Sequence, residues 1–297
     1  MADRPGLQAA GCVGLTCWLR CAACRPRRSR FAERTDYNLY IGAVIDVATR
    51  YVYRLQVLTD RTSFVVWSEL HEPVITSQGG LPQLFTMDKG AECWLLAFGV
   101  LYSNGNQGAG VGRGAVARQR FVNSKRHSRI EGYWRYCNPR VLLPLKLVLV
   151  QMEVDGVFDR EQPVHMGAVQ AIGRVLLQHA CDVALRRWNA HNVLSLGGRR
   201  SLGSPSAMRE RAPKLAQRVA LRSDVIDEYE RGSGNRLDRV PEWAGLRDPL
   251  LGDATRQRAR DVAVGAALGP IEDAWADVLW GDGERFRDAF GVYVSYV

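Results

Sequence analysis

Two short segments about forty residues apart carry the residues best suited to chemistry. The first is Gly80-Leu81-Pro82, then Thr86-Met87-Asp88-Lys89-Gly90-Ala91-Glu92. It reads as a turn, a short strand and an acid at the strand's end. The second is His127-Ser128-Arg129-Ile130-Glu131-Gly132-Tyr133-Trp134, which reads as the start of a helix bearing a single acid. Carboxylate oxygens suit hard divalent cations, and a strand end and a helix face are rigid places to hold them. Around Glu131 stand Lys125, Arg126, Arg129 and Arg135, interleaved with Tyr133, Trp134 and Tyr136. Such a cluster can hold phosphates, with affinity that falls as salt rises. An ordinary solvated helix face would look the same. Arg186, Arg187, Arg199 and Arg200 form a second basic stretch that reads as solvated surface.

The elements that must position these acids follow from the hydrophobic pattern. Leu39 to Ile45 is an apolar run rich in β formers, Asp46 to Arg50 is a turn, and Tyr51 to Val57 alternates, so the three together predict a hairpin. Asp60 to Ser63 offers N-cap chemistry for a helix with Phe64, Trp67 and Leu70 on its buried face, ended or kinked by Pro73. Gln83 to Met87 is a short strand leading into Asp88. A helix over 94–101, a Gly-rich loop over 104–115 and a strand within 115–122 follow. If residues 127–137 are helical, Ile130 and Trp134 lie one turn apart and anchor that helix. A long helix over 164–188 has Val169, Ile172, Val175, Leu176, His179 and Val183 on one side. Residues 195–206 read as a loop with Ser204-Pro205, and residues past Pro213 have weaker patterning, with an apolar stretch over 262–268 and an aromatic terminus over 286–296. The order is that of an α/β protein with a mixed sheet flanked by helices.

Composition sets the bounds. The 297 residues suffice for one or two domains, and 46% hydrophobic with 24% charged residues is ordinary for a globular chain. The net charge of +9 favours polyanionic partners, although scarce Lys beside abundant Arg, Gly, Ala and Val also fits GC-rich codon usage. No stretch reaches the roughly 20 apolar residues of a membrane span, so no membrane partner is expected. Cys12, Cys17, Cys21 and Cys24 crowd the N-terminus. Their spacings of four, three and two intervening residues match no zinc module, and an odd total of seven cysteines argues for reduced thiols in an intracellular compartment, nuclear or cytoplasmic.

Six landmarks in order give the chain a family resemblance: Ile45 to Val52, Gly80-Leu81-Pro82, Asp88 to Glu92, Arg129 to Trp134, Arg187-Trp188-Asn189-Ala190-His191, and Ser204-Pro205. Over residues 38–210 the chain resembles the integrase core domain of the DDE type, as found in retroviral and retrotransposon integrases and in free-standing eukaryotic proteins. The resemblance implies an RNase H-like fold over 37–210, a tail over 1–36 and a mainly helical C-terminal extension over 211–297. It implies DNA as partner, self-association, and Mg²⁺ or Mn²⁺ held by three acids for strand transfer. Asp88 matches the second acid and Glu131 the third, each also readable as an ordinary turn or helix acid; His127 could face the same site. The spacing of 42 intervening residues is longer than usual for the family, with the excess in the Gly-rich loop.

The first acid is the departure. It belongs on a strand upstream of Asp46, in a Trp-x-x-Asp type motif, and the window Arg28 to Ala32 has none. Asp36 stands too close to Asp46 to begin a full strand, and Asp46 itself corresponds to the family's hairpin-turn aspartate, which is not a ligand. The first strand is therefore expected to be missing or replaced by residues 1–36. Two functions remain: a metal-dependent strand transferase of a mobile element, or a non-catalytic nucleic-acid-binding or interaction module descended from one.

Overall fold

A computed structural model describes residues 14–21, 37–58, 60–87, 90–105, 118–121, 128–194, 201–212, 218–234, 236–237, 248–250 and 252–297, with only the backbone given for 14–21 and 128–129. The first element lies within residues 1–36, where a tail was expected, and differs from that expectation over 14–21. Residues 14–21 form a strand, β1 (Gly14–Cys21), inside the main sheet. It is followed by the expected hairpin, β2 (Tyr40–Asp46) and β3 (Val52–Leu58). β4 (Leu84–Met87) and β5 (Arg118–Phe121) complete a five-stranded sheet in the order β3-β2-β1-β4-β5. β1 runs antiparallel to β2 and parallel to β4, and β4 parallel to β5, so the sheet is mixed. β1 escapes a local reading because its place is set by non-local pairing with β2 and β4.

Helices cover both faces. On one, α1 (Ser63–Val65) starts at Thr62, whose hydroxyl accepts the Val65 amide at 3.3 Å. It widens into a π-helical turn, Val66–His71, and continues as α2 (Glu72–Ser77). Pro73 does not stop the helix. It sits in the first turn of α2, where a missing N–H is tolerated. The wide turn buries Val66, Trp67, Leu70 and His71, and α3 (Trp94–Gly105) and α7 (Val225–Ser233) pack on the same side with Val44, Phe85 and Met87.

The other face takes α4 (Ser128–Val154) and α5 (Pro163–Ala190). Residues 41, 43 and 45 of β2 share their core with Ile130, Trp134, Val169, Ile172 and Leu176. The buried side of α5 differs from the expected one: Val175 is 53% exposed, and Gly173, Ala180 and Ala184 are buried instead. Small residues let the helix lie close to the sheet. Two α5 side chains also satisfy the open edge of β3, a site that would otherwise invite pairing with another chain. Gln178 accepts the Val57 amide at 2.9 Å and donates to the Leu55 carbonyl at 3.2 Å. Asn189 accepts from the Val52 amide and donates to its carbonyl, both at 2.9 Å.

β6 (Val193–Leu194), β7 (Ser201–Gly203) and α6 (Pro205–Arg211) follow, the last capped by the Ser204 hydroxyl on the Ala207 amide. The C-terminal helices α8 (Ala254–Leu268), α9 (Ile271–Trp280) and α10 (Glu284–Ser295) extend the α4/α5 core. Phe286, Phe290 and Tyr293 are the buried aromatic residues of the aromatic terminus. Val262, read from sequence as part of an apolar stretch, is 73% exposed. Among the described residues no helix is long and apolar enough to cross a membrane.

His71 gives a pH prediction. It is buried, its Nε2 has no partner among the described residues, and burial lowers its pKa to about 3. Below the unfolded value of 6.5 the unfolded chain takes up a proton that the folded chain refuses. Stability is therefore lost as pH falls from about 6.5 toward 3, with a slope of at most about 1.4 kcal/mol per pH unit. Urea melts of His71→Leu over this range are expected to show a shallower acid loss than the parent; parallel curves would remove His71 as the cause.

Candidate metal and nucleic-acid site

Asp88 directly follows β4 in the sequence, but Asp88 and Lys89 lie outside the described residues, as do Asp36, Lys125, Arg126 and His127. Arg129 belongs to the backbone of α4, and its side chain is not described. Glu131 stands in the first turn of α4 and is half-buried. The anchor expected for this turn is present, since Ile130 and Trp134 are fully buried in the core shared with β2. Tyr133 is buried beside them, and burial holds its phenol well above the usual tyrosine range. Arg135, on the outer side of the same helix, is exposed.

Asp46 has a different task. It is 2% exposed and its Oδ1 accepts the amides of Ala48 at 2.8 Å and Thr49 at 3.4 Å. Burial raises its pKa, and those turn amides oppose the rise. The register places it beside Leu15, which pairs on its other side with Phe85. Two strand spacings, about 10 Å, thus separate it from β4. Asp46 closes the β2–β3 hairpin, as expected of the turn aspartate.

The other landmarks are tertiary clamps. The Trp188 indole N–H donates to the Arg50 carbonyl at 2.8 Å, where Arg50 has a φ of 61°. Trp188 also packs edge-on against Tyr133 with centroids 5.0 Å apart, joining the hairpin to the Glu131 helix. Arg209 of α6 lies over the rings of Tyr51 and Tyr53 and donates to Gln78 at 2.9 Å. In Gly80-Leu81-Pro82, Gly80 has a φ of 135° and the Leu81 amide donates to the Val219 carbonyl at 2.8 Å.

Residues 33–201 match the family model described as integrase core domain. The chain belongs to the integrase core domain family. No curated protein matches it. The matched segment starts after β1, so the strand between β2 and β4 lies outside it. That strand reads Gly-Leu-Thr-Cys-Trp-Leu-Arg-Cys and has no carboxylate. Among the described residues, the strand beside β4 thus contributes no acid of the three that the resemblance implies. Asp46 is engaged in its turn, and among the described residues no group of three or more His, Cys, Asp or Glu could hold a metal ion.

Arg118 and Arg120 are two basic residues that the sequence reading did not single out. Both are exposed on β5, the edge strand beside β4. Their alternation with Gln119 was the available signal, hidden by the adjacent Gly-rich stretch.

Proposed function

We propose that this chain is a DNA-contacting integrase core of RNase H-like fold that has lost efficient strand transfer along with its first carboxylate. The observation that carries this reading is the acid-free sequence of β1, the strand next to the one that leads into Asp88. Three antiparallel strands followed by two parallel ones, with helices on both faces, support the RNase H-like part. Asp88 and Glu131 remain as a pair of acids that would hold Mg²⁺ or Mn²⁺ weakly. Family membership favours the other reading, an active DDE strand transferase, but that requires a third acid from elsewhere in the chain. Self-association is proposed on family grounds.

DNA contact is assigned to the basic residues that surround Glu131 in the sequence, Lys125, Arg126, Arg129 and Arg135, and to Arg118 and Arg120, which are exposed on β5. Fluorescence anisotropy with a labelled duplex, over a salt series, tests it. Replacing Arg118, Arg120 and Arg135 together by Glu is expected to weaken binding and to flatten the salt dependence by about 0.9 log units per decade of salt for each phosphate no longer held. Unchanged affinity and slope would show these arginines to be solvated surface. A strand-transfer assay in Mg²⁺ tests the other half: the parent chain is expected to leave DNA ends unjoined, and robust joining would refute the loss of activity.

A further inference from the structure

A cavity of about 480 Å³ lies between α5, the start of β2 and the C-terminal helices α8 and α10. Its wall is mainly apolar, including Leu39, Leu58, Val264 and Leu268, and an amide, that of Gln170, belongs to it. Gln170 is 8% exposed, and neither its Oε1 nor its Nε2 has a hydrogen-bond partner among the described residues. An amide left unpaired in a protein interior is costly. The neighbouring polar groups do not relieve it: Arg260 is engaged with Asp248 at 2.6 Å and Asp261 at 2.9 Å and lies over the Tyr293 ring.

We propose that this cavity binds a small planar heterocycle presenting a hydrogen-bond donor and acceptor side by side, the class that includes nucleobases and cyclic amides. A cavity of this size and lining suits such a ring. A primary amide offers the complementary pair, one N–H and one carbonyl, in the arrangement by which glutamine reads adenine. Neither amide atom now meets solvent, so engagement requires rotation about the last side-chain torsion, which is soft in glutamine. The ring then fills apolar space and closes both open hydrogen bonds.

The test uses the full chain with three probes: adenosine, 2-pyridone, which has both donor and acceptor, and 1-methyl-2-pyridone, which lacks the donor. Saturation-transfer NMR and thermal shift read binding. Adenosine and 2-pyridone are expected to bind, with 1-methyl-2-pyridone weaker by about tenfold, as the absence of one hydrogen bond implies. Gln170→Leu is expected to erase that preference without lowering the melting temperature, because it removes an unpaired amide. Gln170→Met serves if the leucine variant folds poorly. No binding by the parent, equal binding of both pyridones, or a preference surviving in both variants would overturn the proposal.

Discussion

Gly80→Ala is expected to lower stability by about 2–4 kcal/mol, the range in which backbone strain and a backbone clash combine. Gly80 has a φ of 135°, a conformation that side chains resist. A Cβ there would stand 2.5 Å from the Val219 carbonyl oxygen, the acceptor for the Leu81 amide. That oxygen cannot withdraw without breaking the bridge that ties the turn before β4 to residues 218–219. Urea melts of parent and variant measure the loss. An unchanged midpoint would mean that the turn relaxes freely, and the Gly80-Leu81-Pro82 landmark would then need another explanation.

Trp18→Asp is expected to strengthen Mn²⁺ binding by at least about tenfold, since added ligand charge tunes cation affinity over several decades. The choice of position follows from register. Position 18 pairs with Ala43, which shares its core with Ile130 and Trp134 beside Glu131. Position 17 pairs with Val44 and Met87, whose core is that of the opposite face. Directly paired positions lie on the same face of a sheet, so Cys17→Asp is expected to leave affinity unchanged. The new acid should destabilise the metal-free chain and be rescued by Mn²⁺, by about 2.7 kcal/mol at a hundredfold excess over Kd. Trp18→Asn, which lacks the charge, is expected to show no rescue. Equal gains at positions 17 and 18 would refute the register argument.

The sequence exposed the parts of the fold that depend on local pattern. The β2–β3 hairpin, the strand before Asp88 and the Ile130/Trp134 anchor follow from apolar periodicity, and each is found. β1 did not emerge, because an eight-residue strand among arginines and cysteines has no identity apart from its partners. The buried side of α5 was misjudged at Val175, which is exposed, and where Gly173, Ala180 and Ala184 pack, since close approach to the sheet selects for size rather than hydrophobicity. Trp188 and Asn189 were legible as landmarks, but their work as clamps on the hairpin depends on contacts across more than 130 residues, and Arg209, which lies over Tyr51 and Tyr53, gave no sequence signal. For the site, the sequence showed only that no Trp-x-x-Asp type motif stands in the window Arg28 to Ala32. The strand that should carry the first acid became identifiable only through the sheet order.

Calorimetric titration of Mn²⁺ into the full chain, beside Asp88→Ala and Glu131→Ala, tests the incomplete carboxylate set most directly. Weak heats in the parent, lowered further by either substitution, are expected. Tight binding abolished by both would contradict it and establish an assembled metal centre with its third ligand outside β1.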